Sequence, residues 1–292
     1  EIACKKIDLD TALVNEHLKT LEDMVRIDSR SFGVNEFSGD RTVPTDMQEI
    51  LDCAKNYLTK IGFKKVWVNT SGKKHLFPIL MGEIFVTEKK PTILFYAHLD
   101  KQPYMDNEKF EKWGGIPPTE LRWNEDRSRA YGRGAADDLS GVVSIGMAID
   151  SLLQTIDDDT EDDSLTLPCN IKVIFETEEE SGSHSLIEQI YENKNFFSGI
   201  DCVVITDVVN PAQGIPGLTT SLRGIIQMEV TVTKECAKVS IDEQTALYKL
   251  LSKLIKDDHS LAVNEISELD QPVAEEEREG YSFVPTSVKS LR

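Results

Sequence analysis

The sequence predicts an α/β protein: a largely parallel, layered domain followed by a smaller α+β domain. Three observations carry this. Apolar runs of strand length recur at Thr92–Asp100, Asn170–Thr177 and Cys202–Asp207, and their continuity is what strands covered on both faces look like. Helical patterns at Leu139–Ile156 and His184–Asn193 separate those runs, and strands alternating with helices argue for crossover connections and a parallel sheet. After Arg223-Gly224 the pattern changes. Gly224–Thr233 alternates like a strand with one solvated face, and Thr245–Ile255 reads as an amphipathic helix. At 292 residues, two domains are the natural prior, and the expected division is 1–223 and 224–292.

The elements before the first buried run follow the same logic. Asp8 to about Arg26 reads as an amphipathic helix. In Thr45–Ile61 a second helix places Met47, Ile50, Leu51, Ala54, Leu58 and Ile61 on one face. Lys64–Asn69 and Pro78–Val86 read as strands. The Gly/Pro-rich stretch Gly114–Gly134 reads as a loop with one short strand, and the acidic run Asp157–Asp163 as an exposed loop.

Composition narrows the function. The formal net charge is -19, and a surface this acidic repels phosphate backbones, so nucleic acid is excluded as a partner. The five cysteines are odd in number, widely spaced and without a CxxC or Cys/His zinc pattern. Cys169 and Cys202 lie in or beside apolar runs and read as small buried hydrophobes. This usage points to a reducing compartment and a cytoplasmic protein. No apolar run is long enough to span a bilayer, so no membrane partner is expected. The chain begins at Glu1 rather than Met, which leaves room for a removed leader.

The chemistry gathers where strand patterns end, the place where open α/β sheets bind ligands. His98 and Asp100 project to one side of a strand by its period of two; the imidazole suits a cation and the carboxylate can fix its tautomer. Taken alone, the pair is a weak signal and equally describes an ordinary strand-end histidine. The segment YGRGAADD ends in Asp137 and Asp138 before a helix. Asp137 can bridge two cations with its two oxygens, or either Asp can simply cap the helix. Glu178, Glu179 and Glu180 follow a buried strand, and cations would offset their mutual repulsion. Asp207 closes the run CVVITD. Each element is weak by itself; the order and shared context of all four give the set its weight.

At this point the chain resembles the di-zinc metallopeptidases that include carnosinase, cytosolic non-specific dipeptidase, glutamate carboxypeptidase and aminoacylase. The matching segments are FYAHLDKQP, LRWNEDRSRAYGRGAADDLSG, VIFETEEESGS, CVVITD and TTSLRGIIQMEVTV, in the family's order across most of residues 90–233. The third and fifth are most similar to the dipeptidase and carnosinase branch. The resemblance implies two zinc ions, with manganese or cobalt as alternatives. It implies that His98 and Asp207 bind one metal, Glu180 the other, and that Asp137 bridges them. Asp100 would support His98, and Glu179 would be the general base. It further implies hydrolysis of a dipeptide or short peptide by an exopeptidase of dipeptidase or carboxypeptidase type, and a lid domain opening at Gly224 that often dimerises.

The sequence also departs from the family. Leu139-Ser140-Gly141 stands where relatives usually carry Lys-Gly. No histidine follows Thr233 in Lys234–Val239, where the family's lid His-Ser-Gly lies. The family's final metal-binding histidine has no counterpart before Arg292, and His259 is a poor candidate. The expectation is therefore that the given chain omits segments of a longer protein, among them the C-terminal return to the catalytic domain. Two alternatives share the resemblance: an N-acyl-amino-acid hydrolase with the same metal chemistry, and a catalytically impaired relative that binds or dimerises.

Overall fold

The computed structural model describes residues 2–31, 43–69, 77–156 and 167–208, and beyond these chiefly 215–219, 229–233 and 242–257. The chain divides into two compact units, Glu1–Val208 and Val209–Arg292, so that residues 209–223 group with the second unit.

The first unit is a layered α/β structure. Helices α1 (Ile2–Leu9), α2 (Thr11–Arg26) and α3 (Thr45–Lys60) precede strands β1 (Lys65–Asn69), β2 (Ile79–Ile84) and β3 (Thr92–His98). The short strands β4 (Arg122–Trp123) and β5 (Ala130–Tyr131) form a separate hairpin. Then come α4 (Leu139–Leu153), β6 (Asn170–Glu176), α5 (Leu186–Glu192), α6 (Lys194–Phe197) and β7 (Cys202–Ile205). The sheet order is β1-β2-β6-β3-β7. Strands β6, β3 and β7 are parallel, while β2 and β1 extend the sheet antiparallel. The sheet is thus mixed, with a parallel centre.

Period-two alternation sorts the strand residues onto two faces. Ile171, Val173 and Phe175 of β6, with Phe95 and Ala97 of β3, pack with α2, α3 and α4 in the larger core. Leu94, Tyr96, Ile174 and Met81 face the other way, against Leu186, Phe196 and Phe197 of α5 and α6. The β3–β6 crossover therefore runs over one face through α4. The β6–β7 crossover runs over the other through α5 and α6. The crossovers progress across the sheet in opposite directions from β3, and the strands' carboxyl ends open a crevice at such a point.

Local chemistry explains where elements stop. The helix expected over Asp8–Arg26 is two helices, because Asp10 accepts a hydrogen bond from Leu13 N at 2.9 Å and caps α2 afresh. Helix α2 ends at a device from elsewhere in the chain. Lys101, fully buried, donates from Nζ to the carbonyls of Met24, Val25 and Ile27. The ammonium thus takes the Val25 carbonyl at the helix end and adds a second donor to Met24 O and Ile27 O, which also accept from Ile27 N and Ser29 N. Gly146 leaves room on α4 for the Tyr57 side chain that reaches across from α3, since a Cβ there would lie 2.1 Å from the Tyr57 hydroxyl.

Other expectations need correcting. Cys202 is exposed rather than buried, and most of β7 is solvated. The apolar run marks a strand but does not say what covers it. The Gly114–Gly134 stretch holds a two-stranded hairpin rather than one strand. The acidic run 157–163, Gly224, residues 234–239 and His259 lie outside the described residues. In the second unit, residues 229–233 are described and carry no strand. Its helix α7 (Glu243–Leu251) is capped by Asp242, which accepts from Thr245 N and Oγ1 at 2.9 and 2.7 Å.

Candidate metal centre

His98 is the last residue of β3, fully buried, and its ring is held at both nitrogens. Nδ1 lies 3.3 Å from Asp100 Oδ1 and 3.1 Å from the Asp100 carbonyl. Nε2 faces carboxylates: Asp137 Oδ1 at 3.0 Å, Asp207 Oδ2 at 3.7 Å and Glu179 Oε2 at 3.9 Å. Asp100 orders more than the imidazole. It accepts backbone N–H groups from Glu179 at 3.2 Å and Glu180 at 3.0 Å, so one buried carboxylate fixes the histidine and the turn that carries both glutamates.

That turn follows β6 as a short 3₁₀ segment, Glu179–Ser181, closed by Gly182 at φ 109°. A positive φ of this kind favours glycine. The first glutamate of the run, Glu178, turns inward and accepts from Ser185 N at 2.7 Å, leaving Glu179 and Glu180 half-buried at the crevice. Asp207 arrives from the end of β7, two residues past its last strand residue. Asp137 precedes α4 and is the exposed member of the group.

Asp138 occupies the N-cap position of α4, yet its side chain makes no capping hydrogen bond. It is buried, with Oδ2 3.4 Å from His98 N and Oδ1 without a hydrogen-bond partner among the described residues. Gly141 permits this approach: a Cβ there would lie 2.2 Å from Asp138 Oδ1 and 2.4 Å from Thr206 Oγ1. The departure from Lys-Gly in this segment therefore keeps its glycine where the geometry needs it.

The electrostatics are those of a site built for positive charge. Burial disfavours a charged His98, but the hydrogen bond and charge of Asp100, joined by Asp138 and Asp207, prevail and hold the ring near pKa 10. Burial pushes Asp138 up to about 7 against the pull of His98, and Asp207 and Asp137 add to the rise. Burial likewise lifts Glu176 to about 7, although Tyr96 donates to it at 2.6 Å. Glu179, Glu180 and Asp207 are raised too, first by burial and then by neighbouring carboxylates, Asp207 foremost for Glu179 and Asp137 for Glu180 and Asp207. Two trios bring ligand atoms within 4.8 Å of one another: His98, Glu179 and Asp207, and His98, Asp137 and Glu180. An imidazole with a cluster of carboxylates is a donor set for divalent cations, with no thiolate to select a soft metal. The residues present therefore fit metal ions.

The structure brings together all six residues singled out in the sequence: His98, Asp100, Asp137, Glu179, Glu180 and Asp207. Gln102, which donates from Nε2 to Glu180 Oε2 at 2.5 Å, was not singled out, nor was Asp138 as a side chain directed at His98. Gln102 sits in the quoted segment FYAHLDKQP, but its partner is 78 residues away and nothing local marks it.

Comparison with known proteins agrees with this geometry. The profile of Peptidase family M20/M25/M40 matches residues 94–275, and the chain belongs to that family. The Beta-Ala-His dipeptidase of Rattus norvegicus is 33% identical over 226 residues, covering 74% of this chain and 43% of that protein. The Cys-Gly metallodipeptidase DUG1 of Candida albicans is 25% identical over 280 residues, covering 90% of this chain and 55% of that protein. In fold, the chain matches the di-peptidase Dug1p from Saccharomyces cerevisiae with a TM-score of 0.70 at 23% identity, covering 99% of this chain and 60% of that one. The chain thus spans about half the length of the curated relatives it matches. Among the described residues, no helix is long and apolar enough to cross a membrane.

Proposed function

We propose that the protein hydrolyses dipeptides or short peptides as a metal-dependent exopeptidase, using a water molecule activated at the carboxylate-ringed His98. The observation that carries this is the double duty of Asp100, which holds the His98 ring and the backbone of the Glu179–Glu180 turn together. On this reading His98 and Asp207 would hold one cation, Glu180 would help hold a second, and Asp137 would serve both. Zinc is the proposed metal, two ions per site, with manganese or cobalt as substitutes. Such cations lower the pKa of water and stabilise the oxyanion that develops on the scissile carbonyl.

The chain's own residues do the rest. Asp100 accepts the Nδ1 proton of His98, which presents Nε2 as the donor lone pair. Glu179 is half-buried at the crevice, within 3.9 Å of His98 Nε2. Its carboxylate takes the proton from the attacking water and delivers it to the leaving amine. The names of the relatives support a dipeptide substrate over an N-acyl amino acid. Residues 224–292 are proposed as part of a lid that dimerises, and the free cysteines Cys4, Cys53, Cys169 and Cys202 accord with a cytoplasmic setting.

The test is Glu179→Gln, assayed with β-Ala-His, Cys-Gly and N-acetyl amino acids in the presence of zinc. Turnover of a dipeptide by the parent and a loss of about 10²–10⁴-fold in the variant, with zinc binding retained, is the expected result. Hydrolysis undiminished by the substitution overturns the role of Glu179, and preference for the N-acetyl substrates overturns the substrate class.

A further inference from the structure

We propose that Gln102 is the positioning residue for Glu180, fixing which carboxylate oxygen is offered to a cation. This rests on the reading of Glu180 as a metal ligand. A carboxylate can only accept, so the 2.5 Å contact requires the amide N–H of Gln102 to donate to Glu180 Oε2. Oε2 is thereby engaged by the loop after β3, while Glu180 is one of the three residues that offer a ligand atom in the His98–Asp137–Glu180 trio. A glutamate at position 102 would place two carboxylates in contact, so the amide is the chemistry this position calls for.

The surroundings make Gln102 suited to the task, because its backbone is held on both sides. The residue before it, Lys101, is buried and donates from its backbone N–H to Ser29 O at 3.0 Å and from Nζ to the end of α2. The residue after it, Pro103, accepts at its carbonyl from Arg133 Nη2 at 2.8 Å. The Arg133 guanidinium in turn lies over the Trp113 ring, 5.3 Å from its centroid, and the Trp113 indole donates to the Tyr104 carbonyl at 3.0 Å. The side chain therefore reaches Glu180 from an anchored stretch. Asp100 fixes the glutamate's backbone while Gln102 fixes its carboxylate. Replacing a neighbour that orients a ligand in this way typically costs about 10–100-fold in metal affinity.

The experiment is a double-mutant cycle on zinc binding, measured by competition with a chromophoric chelator, with thermal melting of the metal-free proteins alongside. Gln102→Met removes the donor and keeps the volume; Glu180→Ala removes the proposed ligand. The expected result is about tenfold weaker zinc binding in Gln102→Met, an unchanged metal-free melting temperature, and no further weakening when Gln102→Met is added to Glu180→Ala. Parent-like zinc binding in Gln102→Met overturns the proposal, as does an equal loss in both backgrounds, which would place its action elsewhere. If Glu180→Ala itself binds zinc like the parent, Glu180 is not a ligand, and the proposal falls with that reading rather than by itself.

Discussion

Lys101 offers a quantitative test of how the site is supported from beneath. Its ammonium is fully buried, and burial pushes its pKa from the ordinary 10.5 down to about 7, with only the Asp28 charge opposing. An amine held below its ordinary value destabilises the fold wherever it must be charged. Between about 7 and 10.5 the unfolded chain binds more protons than the folded one, so stability rises with pH across that window. Integrating those two values from pH 7 to pH 9 gives a gain of about 2 kcal/mol. Lys101→Met keeps the chain length and apolar stem but cannot titrate. It leaves Val25 O without the Lys101 donor at 2.8 Å, whereas Met24 O keeps Ile27 N and Ile27 O keeps Ser29 N. One such orphaned carbonyl costs about 1–3 kcal/mol. Urea denaturation of both proteins at pH 7 and pH 9 should therefore show the stability gap between them shifting by about 2 kcal/mol in the parent's favour at the higher pH. A gap that stays constant would refute the reasoning: the carbonyls of Met24, Val25 and Ile27 would then keep Lys101 charged in both states.

Two further outcomes follow from close contacts. Gly146→Ala should destabilise by about 1–3 kcal/mol in the same assay, although alanine is the better helix former, because its methyl would sit 2.1 Å from the Tyr57 hydroxyl; a gain in stability would show that α3 and α4 move apart freely. Asp100→Asn should lower zinc affinity by about 10–100-fold in chelator competition, since an amide cannot accept from Glu179 N, Glu180 N and His98 at once.

Much of the site was legible because its residues sit where apolar runs stop. His98 closes β3, the Glu179–Glu180 pair follows β6 and Asp207 follows β7. A buried strand that ends in carboxylates has few inexpensive explanations, and the order of the segments carried the family. Elements joined by short connections were legible for another reason: β1 and β2 are linked across residues 70–78, too few for a parallel crossover, so their antiparallel pairing could have been read in advance. What stayed hidden was long-range. Lys101 reaches α2 across more than 70 residues and Gln102 reaches Glu180 across 78. Neither has a local pattern, because each is polar on a segment whose neighbours already explain its presence. The exposure of β7 was hidden for a different reason: apolarity reports what a strand can tolerate, not what lies over it.

The charge at this crevice has an energetic consequence that joins fold to function. Asp100, Asp137, Asp138, Glu179, Glu180 and Asp207 converge on one imidazole, and burial raises the carboxyls of Asp138, Glu179, Glu180 and Asp207, and of Glu176 beside Asp100 and Glu179. Gathering like charges in a partly desolvated site opposes folding, and the hydrogen bonds that Asp100 accepts from Glu179 N and Glu180 N and that Gln102 donates to Glu180 offset only part of that cost. A cation that binds the folded chain and not the unfolded one stabilises it by mass action, by about 2.7 kcal/mol at a free concentration 100 times its Kd. Zinc titrated against urea denaturation should therefore raise the midpoint, whether or not turnover is measured. Asp207→Asn should reduce that rise while making the zinc-free protein no less stable, because it removes repulsion along with a ligand. A zinc-free Asp207→Asn protein markedly weaker than the parent would mean that Asp207 serves the fold first, and that the carboxylates were not gathered for a cation.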